Sequence, residues 1–255
     1  MGPSKIVLVV GALLALGSGT LSTMAQNGQN GQGPTYRVTL GEEGECLQEI
    51  DTARQAAGLA KFIQPTADEA TKRLPLETVS NAWDPLCKDL LNPTGTKALS
   101  REDIQDFQDG TYAFEILTSG TVDCKATVDL WKGAFKNFSG LPPANTDAAT
   151  VYQDKLNVSF VALYNPSTGA TADCRLVTCT EIPALQKSAT GDGESNRQAF
   201  IFVCMTFPDV LERDQKAPFT QEEWDRISAA ITGSAAVAFP SFIVIAMTVL
   251  SIAML

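Results

Sequence analysis

An α+β fold follows from three features of the sequence. Apolar stripes of helical period alternate with strand-like segments, the later strand-like segments succeed one another through short links, and six cysteines lie between two apolar ends. Strands in succession call for an antiparallel sheet, and amphipathic helices need the faces of that sheet to bury their stripes. The prediction is one α+β sandwich braced by disulfides.

The amino end precedes the fold. Lys5 and the apolar run IVLVVGALLAL at 6–16 form the basic and hydrophobic parts of a secretory signal peptide, the run being short for a membrane span. Thr23-Met24-Ala25 offers a small-x-small cleavage site, so residues 1–25 are expected to be removed. Residues 26–34 (QNGQNGQGP) form a polar, glycine-rich arm, and a single extracellular domain is expected over 35–233.

Within 43–62, Cys46, Leu47, Ile50, Ala53, Ala57 and Ala60 recur at helical steps, and Pro65 stops the pattern. Leu76, Val79, Trp83, Leu86 and Leu90 mark another helical face, interrupted at Asp84-Pro85, where a new helix could start with Asp84 as its cap. Asn92-Pro93-Thr94-Gly95 is a turn, and Ser100-Arg101-Glu102-Asp103 resembles a capping box. Residues 111–118 (TYAFEILT) predict a strand with Tyr112, Phe114 and Ile116 on one face.

The strongest helical signal is 123–138, where Cys124, Val128, Trp131, Phe135 and Phe138 share one face. The period then changes. Residues 155–164 (KLNVSFVALY) and 171–180 predict two strands joined through 165–169. A polar loop follows at 183–197, and the nearly all-apolar 199–207 (AFIFVCMTF) predicts a strand inside the sheet. Thr220-Gln221-Glu222-Glu223 is a capping box that opens a last helix through Trp224 and Ile227.

Charge and residue type narrow the chemistry. The chain carries 19 basic against 29 acidic side chains, a net charge of −10, which repels phosphate backbones and argues against a nucleic-acid partner. There is no histidine. That excludes Ser-His-Asp and Cys-His catalysis and histidine-ligated zinc. Carboxylate-only hydrolysis survives in principle, but the acids form no pattern that singles out a pair. No catalytic residue, metal ligand or cofactor is assigned.

Cys46, Cys87, Cys124, Cys174, Cys179 and Cys204 form an even set on a secretory chain, which reads as disulfides rather than a metal site, with the connectivity open. Cys174 and Cys179 lie in an extended segment, where five residues at about 3.3 Å each separate them by about 16 Å on opposite faces. Disulfide Cα atoms are seldom more than about 7 Å apart, so these two are not partners, and one of them is expected to staple the neighbouring strand through Cys204. Asn137-Phe138-Ser139 and Asn157-Val158-Ser159 have the form of glycosylation sequons.

At the carboxyl end, the apolar segment 239–255 (FPSFIVIAMTVLSIAML) carries no Lys or Arg, whereas a spanning helix ordinarily has a basic cytoplasmic anchor. With the small residues at 233–236, this is the layout of a glycosylphosphatidylinositol (GPI) attachment signal. Gly233 is the preferred attachment residue, with Ser234 and Ser228 as alternatives, and 234–255 would be the discarded propeptide. The anchor would place the domain on the outer leaflet of the plasma membrane.

The signal peptide, the acidic ectodomain, the six cysteines, the helix CKATVDLWKGAFKNF, the late strand AFIFVCMTF and the attachment tail, taken in that order, resemble the GPI-anchored surface antigen (SAG) family of Eimeria. The resemblance implies a non-enzymatic surface antigen of an apicomplexan parasite, associated with host-cell attachment, a host-surface receptor and immune exposure. It also implies an ectodomain similar to the CAP superfamily, a three-layer α-β-α sandwich. The histidine–glutamate metal cleft of many CAP proteins has no counterpart in a chain without histidine. The alternative function is a CAP-like carrier of a sterol or other lipid, for which Trp83, Trp131, Phe135, Phe138 and Trp224 would supply the apolar surface. Core packing accounts for the same residues.

Overall fold

The computed structural model describes residues 35–78, 80–92, 107, 109–146, 148–182, 197–213 and 216–233, all within the compact unit Gly33–Leu255. The expected signal peptide (1–25), the arm (26–34), the capping box at 100–103, the polar loop up to residue 196 and the segment 234–255 lie outside the described residues.

Strands β1 (Thr35–Leu40), β2 (Thr111–Leu117), β3 (Thr171–Ile182) and β4 (Gln198–Phe207) form one antiparallel sheet in the order β1-β3-β4-β2. The apolar character of β4 reflects its inner position. Ile201, Val203 and Met205 bury against one side of the sheet, and Phe202 and Cys204 bury against the other. A strand covered on both faces has no polar face to alternate with.

Among the described residues five helices supply that cover: α1 (Leu47–Ala56), α2 (Ser80–Leu91), α3 (Cys124–Gly133), α4 (Lys155–Leu163) and α5 (Gln221–Thr232). Ile50 of α1, Trp131 of α3, Phe160 of α4 and Trp224 of α5 pack with Cys174 and Phe202 on one face. Trp83 and Leu86 of α2 pack with Val177, Ile201 and Met205 on the other. Helices therefore lie on both faces of this antiparallel sheet.

Local side chains cap α3 and α5, the box at Thr220 as read from the sequence. Asp123 accepts the Ala126 N–H at 3.0 Å to open α3, and a 3-10 turn, Ala134–Asn137, continues that helix. Thr220 and Glu223 form the reciprocal capping box of α5.

Four elements differ from the expectation. Residues 155–164 form the helix α4 and not a strand. Asp154 accepts the Leu156 N–H at 2.9 Å as its cap, and the helix is buried almost all round, so its sequence lacks a polar face. A short apolar run of this kind has no period that separates buried helix from buried strand. Residues 165–169 therefore join a helix to β3 and are not a hairpin link, with Gly169 at φ +69° in the left-handed region that favours glycine.

The strand missing from that region is supplied by β1, in a stretch assigned to no element from sequence. Tyr36, Val38 and Leu40 alternate onto the α2 side of the sheet, which is the signal that was there to read. The helix α2 also runs through Asp84-Pro85 without restarting. Pro85 forgoes one helical hydrogen bond, and the helix is held by the complete burial of Trp83, Leu86 and Cys87. Finally, α1 is shorter than the apolar pattern over 43–62, because Gly58 at φ +71° ends it well before Pro65.

Candidate functional site

An open cleft of about 850 Å³ lies between Glu49 on α1, Glu115 and Leu117 on β2, the 118–123 connection and the first turns of α3. Its position follows from the chain path. β2 ends at Leu117, and Asp123 caps α3 only six residues later, so the connection folds back over the strand end. Burial raises the Glu115 carboxyl above the ordinary glutamate value. Lys125, at the rim, is held by Asp129 at 2.6 Å. The Asp123 carboxylate is engaged by the α3 cap. The cleft thus offers carboxylates, hydroxyls and a short apolar floor, which is the chemistry of a polar contact surface.

The Cys46–Cys124 disulfide closes one wall, tying the start of α1 to the start of α3 with Cα atoms 5.0 Å apart. Glu45 lies beside these sulfurs, all three ligand-type atoms falling within 4.8 Å of one another. Both sulfurs are bonded to each other, so they are not thiolates and cannot ligate a metal as thiolates do.

Two further bridges complete the set. Cys87–Cys179 fastens α2 to β3 with Cα atoms 5.4 Å apart, and Cys174–Cys204 joins directly paired positions of β3 and β4. Cys174 belongs to the core on one face of the sheet and Cys179 to the core on the other. The even spacing rule of a strand places them so.

An ion network lies on the α2 side of the sheet, buried at Asp173 and Arg175 and reaching solvent at Glu43. Asp173 accepts from the Arg175 Nε at 2.9 Å and from the Leu74 N–H at 2.9 Å. Arg175 also reaches Glu43 at 2.9 Å, and Arg73 pairs with the same carboxylate. Desolvation pushes the Glu43 carboxyl up, but hydrogen bonds and charge from Arg73 and Arg175 outweigh it and hold the group below the ordinary range.

A second buried cation, Arg54, donates to the carbonyls of Ala60 at 2.9 Å and Leu163 at 3.0 Å and stacks over Phe62. Desolvation brings its pKa down to about 10, which still leaves it charged at neutral pH. The first network fastens the Glu43 and Arg73–Leu74 segments to β3, and Arg54 ties α1 to the 60–62 segment and the end of α4. The residue types in question were visible in the sequence, but pairings across more than a hundred positions, such as Glu43 with Arg175, have no sequence signal. The alternation Asp173-x-Arg175 inside an apolar strand was the one local hint.

The remaining residues singled out from sequence fall as follows. Asn137 is exposed at the end of the 3-10 turn, whereas Asn157 is 3% exposed within α4. Gly233 is exposed directly after α5 and adopts φ +67°. Ser228 lies inside α5, its carbonyl accepting the Thr232 hydroxyl at 2.8 Å. Ser234 lies outside the described residues. Of the aromatic residues proposed for a lipid groove, Trp83 packs on Phe107 in the α2-side core. The others lie in the opposite core, with Phe135 and Trp224 at 5.1 Å, Phe138 and Phe160 at 5.4 Å and Trp131 and Phe202 at 5.7 Å between ring centroids. Among the described residues no helix is long and apolar enough to cross a membrane.

Residues 42–246 match the family described as the sporozoite surface antigen (SAG) protein domain. The chain is also 27% identical, over 197 residues, to the sporulated oocyst TA4 antigen of Eimeria tenella, covering 72% of this chain and 73% of that one. No solved structure matches. The family match spans most of the sequence and includes all six cysteines, α3 and β4, and on that ground the chain belongs to the SAG family of Eimeria surface antigens.

Proposed function

We propose that this surface antigen is a non-enzymatic module held on the outer leaflet of the parasite membrane by a glycolipid at Gly233, after loss of residues 1–25 and 234–255, and that it contacts host cells. The observation that carries the anchor is the end of α5. Gly233 takes the left-handed conformation that closes a helix, so a glycolipid there follows the last packed turn. Attachment at Ser228 would instead remove Ala230 and Ile231, which pack against the main core.

The layering of helices on both sides of the sheet supports a CAP-like reading of the domain. Its metal chemistry is not carried over, since the chain has no histidine to supply it. Host contact is assigned to the polar cleft at Glu49 and Glu115, which is concave, acid-lined and supported by a disulfide at its wall.

The test is treatment of intact parasites with phosphatidylinositol-specific phospholipase C. Release of the protein, with a carboxyl-terminal peptide ending at Gly233 and carrying the glycan remnant, is expected. Mature protein that retains 243–255, or that stays on the cell after the enzyme has released other anchored proteins, overturns the anchor. Released protein that fails to bind host cells overturns the attachment role and leaves the anchor standing.

A further inference from the structure

We infer that Asn137 is an N-glycosylation site of this protein and that Asn157, in an equally good sequon, is a structural residue that carries no glycan. This rests on the secretory reading above. Sequence treats Asn137-Phe138-Ser139 and Asn157-Val158-Ser159 alike, but the fold does not.

In the first sequon the backbone is extended at Phe138 (φ −101°, ψ 123°) just after the 3-10 turn. Phe138 points inward onto Phe160 and Trp224, and its neighbours Asn137 and Ser139 are both exposed. The inward phenylalanine thus presents the acceptor and the hydroxyl to solvent.

In the second sequon both polar side chains are committed to the fold. The Asn157 Nδ2 donates to the Val151 carbonyl at 2.8 Å, and its Oδ1 accepts from the Asn137 Nδ2 at 2.8 Å. The Ser159 hydroxyl is wholly buried and accepts the Phe114 N–H at 3.0 Å. A glycan on Asn157 would have to pass through the packed core around α4, so a chain modified there could not reach this structure.

The contact between the two asparagines is compatible with a glycan on the first. In the transfer, the Asn137 Nδ2 bonds to the anomeric carbon of a lipid-pyrophosphate-linked oligosaccharide. The bond from that carbon to the pyrophosphate oxygen breaks, its electron pair leaves on the pyrophosphate, and Nδ2 loses one proton. One N–H remains on Nδ2, enough for the bond to Asn157.

The test uses the full chain passed through a eukaryotic secretory pathway. Tryptic cuts after Lys136 and Lys155 place the two asparagines on separate peptides, and enzymatic deglycosylation in heavy-oxygen water tags any occupied site. The tag is expected at Asn137 alone. Ser139→Ala, which removes the sequon but keeps the Asn137–Asn157 hydrogen bond, is expected to abolish the glycan mass and to share the unfolding midpoint of the unsubstituted chain produced with glycosylation blocked. Ser159→Ala should leave the glycan mass unchanged. A tag at Asn157, or a bare Asn137 on protein that has lost residues 1–25, overturns the inference while the secretory reading stands. A bare Asn137 on a chain that keeps 1–25 sinks both.

Discussion

Asp173 and Arg175 occupy the same face of β3 and are both nearly buried, so each depends on the other to offset the cost of leaving water. Asp173→Ala strands the Arg175 guanidinium with Glu43 alone and frees the Leu74 N–H. Removing one partner of a buried pair costs about 3 kcal/mol or more, and urea unfolding at neutral pH is expected to show a loss of that order. A change under about 1 kcal/mol would mean that the network is solvated in solution.

Glu43 and Glu115 respond to pH with opposite signs. Glu43 has a lowered pKa in the folded chain, so its contribution is present above the ordinary value and is lost as the pH falls through the lowered one. Glu115 has a pKa raised by burial above 4.5. Its contribution is fully present below that value and is lost as the pH rises through the raised one. Glu115→Gln is therefore expected to raise the unfolding midpoint at neutral pH, with the advantage vanishing below pH 4.5. An advantage of equal size at both pH values would show that packing, not ionisation, is responsible.

At the level of elements, β2 is an edge strand that is not open along its length. The Phe114 N–H is taken by Ser159 of α4 and its carbonyl by the Trp131 indole of α3 at 3.0 Å. Backbone groups satisfied this way are unavailable to a strand from another molecule. Ser159→Ala leaves a partly buried donor without its acceptor, which costs about 1–3 kcal/mol. Amide exchange at Phe114 should accelerate accordingly, and unchanged exchange there would remove α4 as the guard of this edge. The helix itself depends on its cap, and Asp154→Ala is expected to cost about 1 kcal/mol, read as a lower thermal midpoint.

At the scale of the whole molecule, two of the three disulfides join elements that the chain order keeps far apart, and the third staples the consecutive strands β3 and β4. The Cys46–Cys124 and Cys87–Cys179 bridges span 78 and 92 positions, for which chain entropy alone suggests about 4–5 kcal/mol each. Their accessibility differs. Cys124 is half-buried at the cleft, whereas Cys87, Cys174, Cys179 and Cys204 are in the core. Limited reduction with a small thiol is expected to open Cys46–Cys124 first, loosening α1 from α3 while the other two bridges persist. Differential alkylation read by mass spectrometry checks this, and labelling of Cys87 or Cys204 ahead of Cys124 would contradict it.

Much of this molecule was legible because its signals are local. The capping box at Thr220, the stripe of α3 and the apolar run of β4 each rest on residues within a few positions of one another, and sequence reports such patterns directly. The spacing of Cys174 and Cys179 likewise determined, through strand geometry alone, that they face apart. What tertiary structure decided is whatever depends on surroundings. KLNVSFVALY is a helix because packing covers every side of it, Pro85 stays inside α2 because burial compensates a lost hydrogen bond, and Asn157 differs from Asn137 only in what folds over it. The cleft and the Glu43–Arg175 contact arise from chain segments brought together across more than sixty positions. No local pattern encodes them, since the free energy that selects them is released only when the core closes.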